Sequence, residues 1–554
     1  MSSYVYSTDP NPFHQILVIS QKTINDSFKN MWELAQLDDE DSPLKHFKER
    51  FRSGDYLETD IGVPSVQLQV TTKDPMLYFM LRMTSGKLWL YLTNDPDDDS
   101  HIEWPVSDWV FAFSVTISKK EITKDGPEYQ QFKERAGLPE SNFSLAQLFI
   151  DASSTTKWDE NLSSFGDKDQ DFKNLSPDAH ATFDIFIQKW LNLMSEKKCN
   201  ILGYSALRDT DSDLNKYEPT FPPTRIDYDC YPWRSNSYDQ DQNNQDTNAL
   251  CYLMMSNFES PSSKTLSYTG QFVDSSHDAT FVMNRSLFWP WMFSVLRDVV
   301  VGMIPVPDEP TLYWDDTDPD HPYVGGMGYH FGDWNASSSY YNFTPSGPGR
   351  WSWDGRPQYS SKRCQNPNRG NDSETIQQWS NKGKFYGEVA RTDPCGGILS
   401  FDAGTASLTL NGESTFVFRV DHDTGSRNKY SLMTFTLWWS IGVGMASVEE
   451  GGLVFKVTSN SVSVDEKTDG DLSWNPPADE VAREFKDEMG TNIQSAISNV
   501  EDRLMNALAN QHRLFLPAKG SFLMKDPIFN SKGDIIVKLA YNGADPPKPP
   551  PQKQ

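Results

Sequence analysis

The residues in this chain whose type and spacing could do chemistry are first of all carboxylates set two apart. Asp316, Asp318 and Asp320 alternate in a stretch that Trp314 and Pro319 would help to hold, and Asp167, Asp169 and Asp171, like Asp209, Asp211 and Asp213, repeat the pattern. Alternating carboxylates offer the hard oxygen ligands that Ca²⁺ takes. None of the three completes an EF-hand loop. The sixth positions are Phe172, Leu214 and His321 where Gly is needed, and the twelfth are Asp178, Thr220 and Met327 where Glu is needed. In a chain with 77 acidic against 50 basic residues, the same spacing also arises in solvated loops. Ca²⁺ at Asp316, Asp318 and Asp320 is the best placed of these sites, and no other cofactor is expected.

Aromatic residues form the second group. Trp334, Tyr340, Tyr341, Phe343, Trp351, Trp353 and Tyr359 are interleaved with Gly, Ser and Asn. Exposed, such a segment would be a surface for a protein partner, for a second copy of the chain or for a glycan. Trp351 and Trp353 would share one face of a strand, where plain sheet packing is the simpler role.

Nucleophilic and phosphate-binding signatures are missing. The nearest approach to a nucleophile elbow, Trp438 to Gly442, has Trp where the first Gly must allow the tight turn. There is no H-E-x-x-H, no phosphate-binding loop and no dinucleotide fingerprint. No catalytic residue is assigned, and the expectation is a protein that is not an enzyme. A glycan hydrolase stays open as a third reading, because its two carboxylates need only be close in space.

Composition narrows the class further. A chain of 554 residues can bury a large core without disulfides or metals, and 17 Trp, 22 Tyr and 32 Phe exclude wholesale disorder. A net charge of −27 with no basic cluster argues against nucleic acid as a partner. Five scattered cysteines suit a reducing compartment, and residues 1–20 do not read as a secretory signal, so the expected location is cytoplasmic. The most apolar stretch, 287–306, carries Arg297 and Asp298 near its middle. It reads as a buried amphipathic helix, with no transmembrane segment expected.

The periodicity of the chain is clearest at its two ends. Residues 16–19 make an apolar strand, and Ser20 is placed to cap a helix carrying Ile24, Phe28, Met31 and Trp32. Val66, Leu68 and Val70 alternate as a half-buried strand does. Two tight hairpins are expected, at Ser85-Gly86 and at Asn411-Gly412. From Asp479 the period changes. Val481, Phe485, Met489, Ile493, Ile497, Val500, Leu504 and Leu508 step by four or three, which is one long amphipathic helix with Gly490 as its weak point. The organisation expected is an α+β fold of two lobes, 1–285 and 286–545, with a polar region at about 209–247 and a Pro-rich tail at 546–554.

Two runs carry a resemblance to a known family. They are Phe13 through Ser20 leading into Thr23, Ile24 and Asn25, and the terminal run from Leu516 and Pro517 through Gly520, Phe522 and Phe529 to Gly533 and Asp534. Both resemble the ends of proteins in the OrfX group of the tubular lipid-binding (TULIP) superfamily. The resemblance covers the two ends only and brings no catalytic residues. It implies curved antiparallel sheets wrapped on long helices, with an apolar groove able to hold a lipid chain. Residues placed at such a groove are Phe28 and Trp32 at one end, and Phe485, Met489, Ile493, Ile497 and Leu504 at the other. A solid two-layer core would need the same stripe, and periodicity favours that plainer reading. The expected function is binding of a hydrophobic ligand, lipid in kind. A structural or assembly protein using 334–359 is the alternative.

Overall fold

The computed structural model describes residues 7–37, 42–51, 54–72, 74–95, 97–122, 129–130, 143–151, 157–208, 223–234, 246–274, 277–303, 305–307, 324–325, 329–331, 342–354, 358–360, 384–386, 390–392, 396–423, 428–447, 453–470, 474–475, 478–505, 514–515 and 521–542. Over these residues the fold is α+β, with curled antiparallel sheets and few helices. The α-helices are α1 (Gln21–Leu37), α2 (Asp169–Lys173), α3 (Pro177–Glu196), α4 (Arg285–Gly302) and α5 (Ala478–Met505).

A six-stranded central sheet joins the two ends of the chain. It uses β1 (Gln15–Ser20), β10 (Arg225–Tyr231), β11 (Ala249–Met255), β12 (Ala279–Met283), β27 (Ser521–Phe529) and β28 (Ile535–Asn542), in the order β10-β11-β1-β12-β28-β27. All six residues of β1 are buried, because both faces of the sheet are covered. Leu17 and Ile19 face the large apolar interior, while Ile16 and Val18 face a smaller cluster with Val282 and Ile536. The lobe boundary expected at residue 285 falls at the first residue of α4, and this sheet takes strands from both sides of it. Ser20 caps α1 as its position suggested, its hydroxyl accepting from the Thr23 N–H at 3.1 Å.

The N-terminal sheet consists of β2 (His46–Arg50), β3 (Tyr56–Ile61), β4 (Ser65–Gln69), β5 (Met76–Tyr91), β6 (His101–Ile122), β7 (Phe143–Ile150), β8 (Lys157–Trp158), β9 (Ile201–Arg208) and β26 (Leu514–Phe515). Its main path is β2-β3-β5-β6-β7-β9-β26. The hairpin expected at Ser85-Gly86 is not a turn. β5 runs straight through it as a single strand of 16 residues. The buried positions are Leu77, Phe79, Leu81 and Met83 before this point and Leu88 and Leu90 after it, so the alternation changes phase. A bulge at Thr84 causes the change, since Met83 pairs with Ile61 and Ser85 with Asp60. A break in phase between two apolar runs looks like a turn in one dimension, and the sheet absorbs it as one extra residue.

The C-terminal sheet consists of β16 (Thr344–Gly347), β17 (Arg350–Asp354), β18 (Gln358–Ser360), β19 (Lys384–Tyr386), β20 (Ala390–Thr392), β21 (Gly396–Phe401), β22 (Ser407–Asp423), β23 (Asn428–Ser447) and β24 (Leu453–Gly470). Two short pairs complete the strands: β13 (Pro305–Pro307) with β15 (Tyr329–Phe331), and β14 (Val324–Gly325) with β25 (Trp474–Asn475). The second hairpin cue also fails, because Asn411-Gly412 lies inside β22. Trp353 Nε1 donates to the Asn411 carbonyl at 3.0 Å, and the Ile398 N–H donates to Asn411 Oδ1 at 3.0 Å. A Cβ on Gly412 would meet the Trp353 and Trp439 rings at 2.6 Å. The glycine is there to let two indoles lie over the strand.

Candidate functional site

The site proposed from the stripe can be built from α5 outward. Asp479 and Glu480 occupy its first turn, where the helix dipole favours negative charge. Steps of four bring Phe485, Met489, Ile493 and Ile497 to one face, at 0%, 0%, 1% and 7% exposure, while Glu484, Lys486, Asp487 and Glu488 stay in solvent. That face packs on β24 and beside α4. Phe485 stacks on Phe435 of β23 with ring centroids 5.7 Å apart. From Met433 to Ile441 on β23 every second residue is buried, so Met433, Phe435 and Leu437 share the inner face, with Phe435 against α5. Phe288 of α4 stacks on Phe455 of β24 at 5.9 Å and closes the third side. Leu504 belongs to the last turn of α5.

Phe28 and Trp32 pack against the N-terminal sheet. Phe28 meets Phe79 of β5 edge to face at 5.6 Å, and Trp32 Nε1 donates to the Ile61 carbonyl at 2.8 Å. The two groups of stripe residues thus pack on different sheets. They belong to the same unbroken apolar interior, which passes over the inner face of the central sheet.

A polar clasp holds the start of α4. Asp534 in the turn before β28 is fully buried; it accepts the Arg285 N–H at 2.8 Å and the Arg285 guanidinium at 3.2 Å. Asn530 donates to Asp534 and to the Thr8 carbonyl, both at 2.9 Å, and Lys532 pairs with Asp9 at 2.7 Å. No local signal could have revealed this cluster, since its members come from three distant parts of the chain. Burial pushes the Asp534 carboxyl above its usual range, against the hydrogen bonds from Arg285 and Asn530 and the Arg285 charge. Burial pushes Asp9 up as well, but the Lys532 hydrogen bond, the Asn11 N–H and the two cations outweigh it and hold it low. The signs are opposite. Asp9 contributes stability that is lost as pH falls through its folded pKa. Asp534 contributes most below its unfolded pKa, and that contribution is lost as pH rises through the raised folded value. Asp534→Asn should therefore flatten the loss of stability with rising pH above about pH 4, read from thermal melts at increasing pH. An unchanged slope would rule Asp534 out as its source.

One surface cluster on the N-terminal sheet has the residue types of a hydrolase without the geometry. Ser85 Oγ donates to Asp60 Oδ2 at 2.6 Å, and Asp60 Oδ1 meets His46 Nδ1 at 2.9 Å. The order serine–carboxylate–imidazole leaves the hydroxyl with no base to take its proton in the manner of an acyl-transfer triad.

In the aromatic segment, Trp351 packs on Trp289 at 4.3 Å and Trp353 is 1% exposed, lying on Trp439 at 5.9 Å. Trp353 is thus sheet packing rather than surface, and Trp351 is half-buried under α4. Trp334, Tyr340, Tyr341, Asp316, Asp318 and Asp320 lie outside the described residues. So does the 209–213 run. In the remaining acidic run Asp169 accepts the Phe165 N–H and Asp171 pairs with Lys168 at 3.2 Å. Among the described residues no three His, Cys, Asp or Glu side chains are grouped to hold a metal ion, and no helix is long and apolar enough to cross a membrane.

No protein-family model matches the sequence, and no curated protein matches it. Among solved structures the chain is similar to P47 from Clostridium botulinum A2, at 9% identity and a TM-score of 0.45, over 96% of this chain and 98% of that one. P47 of Clostridium botulinum E1 matches at 10% identity and a TM-score of 0.43, over 96% and 99%. A lipopolysaccharide binding protein matches at 11% identity and a TM-score of 0.33, also over 96% and 99%.

Proposed function

We propose that this chain is a non-enzymatic binding protein for a hydrophobic ligand of lipid kind, held along α5. The observation that carries the reading is the continuity of the apolar interior. One cluster runs from Phe28 and Phe79, over Leu17, Phe281 and Leu539 of the central sheet, to Met489 and Ile493 under α5. An extended hydrocarbon could lie along such a path without meeting a polar barrier. Each buried CH₂ would contribute about 0.8 kcal/mol. Phe485, Met489, Ile493 and Ile497 are covered in this conformation, so entry would be a repacking event. Met292, Met303, Met433, Met445 and Met489 supply the flexible side chains for it. The resemblance of the two chain ends to the OrfX group supports the same reading. A reducing, cytoplasmic setting accords with the free thiols of Cys199, Cys230 and Cys251.

Native mass spectrometry of the purified protein, followed by organic extraction, tests the proposal. The expected result is mass in excess of the 63.1 kDa chain that extracts as lipid. A bare chain mass that stays bare after incubation with phosphatidylcholine vesicles would retire the reading. A clean multiple of the chain mass without lipid would put assembly in its place.

A further inference from the structure

Three buried hydroxyls between the central and N-terminal sheets have no hydrogen bond of ordinary geometry among the described residues: Ser205 on β9, Tyr228 on β10 and Tyr252 on β11. Tyr252 is 0% exposed and Ser205 3%. Tyr228 stands directly opposite Tyr252 in the β10–β11 register, with the rings 5.0 Å apart and nearly perpendicular. Ser205 lies close enough to Tyr228 to favour its phenolate, against the larger effect of burial, without forming a hydrogen bond of ordinary geometry. The surroundings are apolar, with Ile226, Leu250 and Leu17 on the same face. A buried polar group left without a partner is costly, and Phe or Ala would remove the hydroxyls with little change in volume.

The nearby charges do not answer them. Lys119 is spent on the Ile226 carbonyl at 2.8 Å and on Asp227 at 3.9 Å. Burial drives both phenols far up, so each stays a neutral O–H donor at any working pH. A carboxylate or phosphate entering here would lose its hydration and meet only neutral donors, which makes an uncharged oxygen the better fit.

We propose that Ser205, Tyr228 and Tyr252 form the polar anchor for the ligand, gripping the uncharged oxygen of a neutral lipid, an ester carbonyl or a hydroxyl, while its hydrocarbon runs into the apolar interior. The inference rests on the lipid-binding reading and adds to it which end of the ligand is recognised and where. Its test uses the full chain with phosphatidylcholine vesicles carrying fluorescent diacylglycerol, comparing the wild type with the Tyr228→Phe/Tyr252→Phe double variant and with Ser205→Ala.

The wild type should extract diacylglycerol, and the double variant should bind it at least about tenfold more weakly at an unchanged melting temperature. Tenfold corresponds to ~1.4 kcal/mol of lost hydrogen bonding. Equal uptake by wild type and double variant overturns the anchor and leaves lipid binding standing. A lower melting temperature with equal uptake also overturns it, since the hydroxyls would then hold ordered water. No uptake of any lipid by the wild type removes the reading beneath both. If the double variant does not fold, Ser205→Ala decides by the same comparison.

Discussion

Gly86→Ala should cost the fold about 4 kcal/mol or more, among the largest effects a single methyl group can have. The backbone at Gly86 has φ +147°, where side chains are rarely tolerated, and a Cβ there would lie 2.0 Å from the Glu58 carbonyl oxygen and 2.7 Å from Thr59 Cα. Both neighbours are backbone atoms of β3. Relief requires opening the β3–β5 ladder next to the Thr84 bulge, and that ladder carries the buried residues Leu57, Met83 and Leu88. The same substitution at Gly490 is the internal control. Nothing lies within 4 Å of a Cβ there, and Ala in a helix interior is better than Gly by about 1 kcal/mol. Urea unfolding followed by tryptophan fluorescence should give midpoints that move in opposite directions for the two variants. If Gly86→Ala unfolds at the wild-type midpoint, the continuous course of β5 is wrong and a turn belongs there after all.

Phe485→Ala should cost about 3–5 kcal/mol, as expected for emptying an aromatic position in a packed core. Phe485 is 0% exposed, and its ring stacks on Phe435 of β23, so the cavity would open between α5 and the C-terminal sheet. Excess phosphatidylcholine vesicles separate the two roles of the stripe. A variant that recovers part of its lost stability when lipid is added has a cavity that hydrocarbon can enter, because a ligand that binds only the folded state stabilises it. A loss below about 1 kcal/mol would mean that the stripe is not packed as described, and the α5 site would have to be redrawn.

How much of this was legible in the residue order differs from element to element. β1 could be read because an uninterrupted apolar run fits a strand covered on both faces. The start of α1 could be read because Ser20 satisfies a helix N–H three residues away. The stripe of α5 could be read from its steps of three and four. Each of these depends on neighbours within a few residues, where spacing translates directly into a face or a cap. The readings at Ser85-Gly86 and Asn411-Gly412 failed for the complementary reason. A glycine permits a turn and also permits close packing, and the choice is made by what lies across the sheet: the Glu58 carbonyl in one case, the Trp353 and Trp439 rings in the other.

The α+β class, the start of α1 and the apolar faces were thus legible in the residue order, since local periodicity reports which side of an element avoids water. What covers those faces was set by the folding of distant segments onto one another. That folding joined β12 to β28 across nearly half the chain, buried Asp534 against Arg285, packed Trp353 on Trp439 and left the hydroxyls of Ser205, Tyr228 and Tyr252 without an ordinary hydrogen bond among the described residues. Those outcomes depend on pairings between residues far apart in the chain, whose energies have no counterpart in the spacing of residues along it.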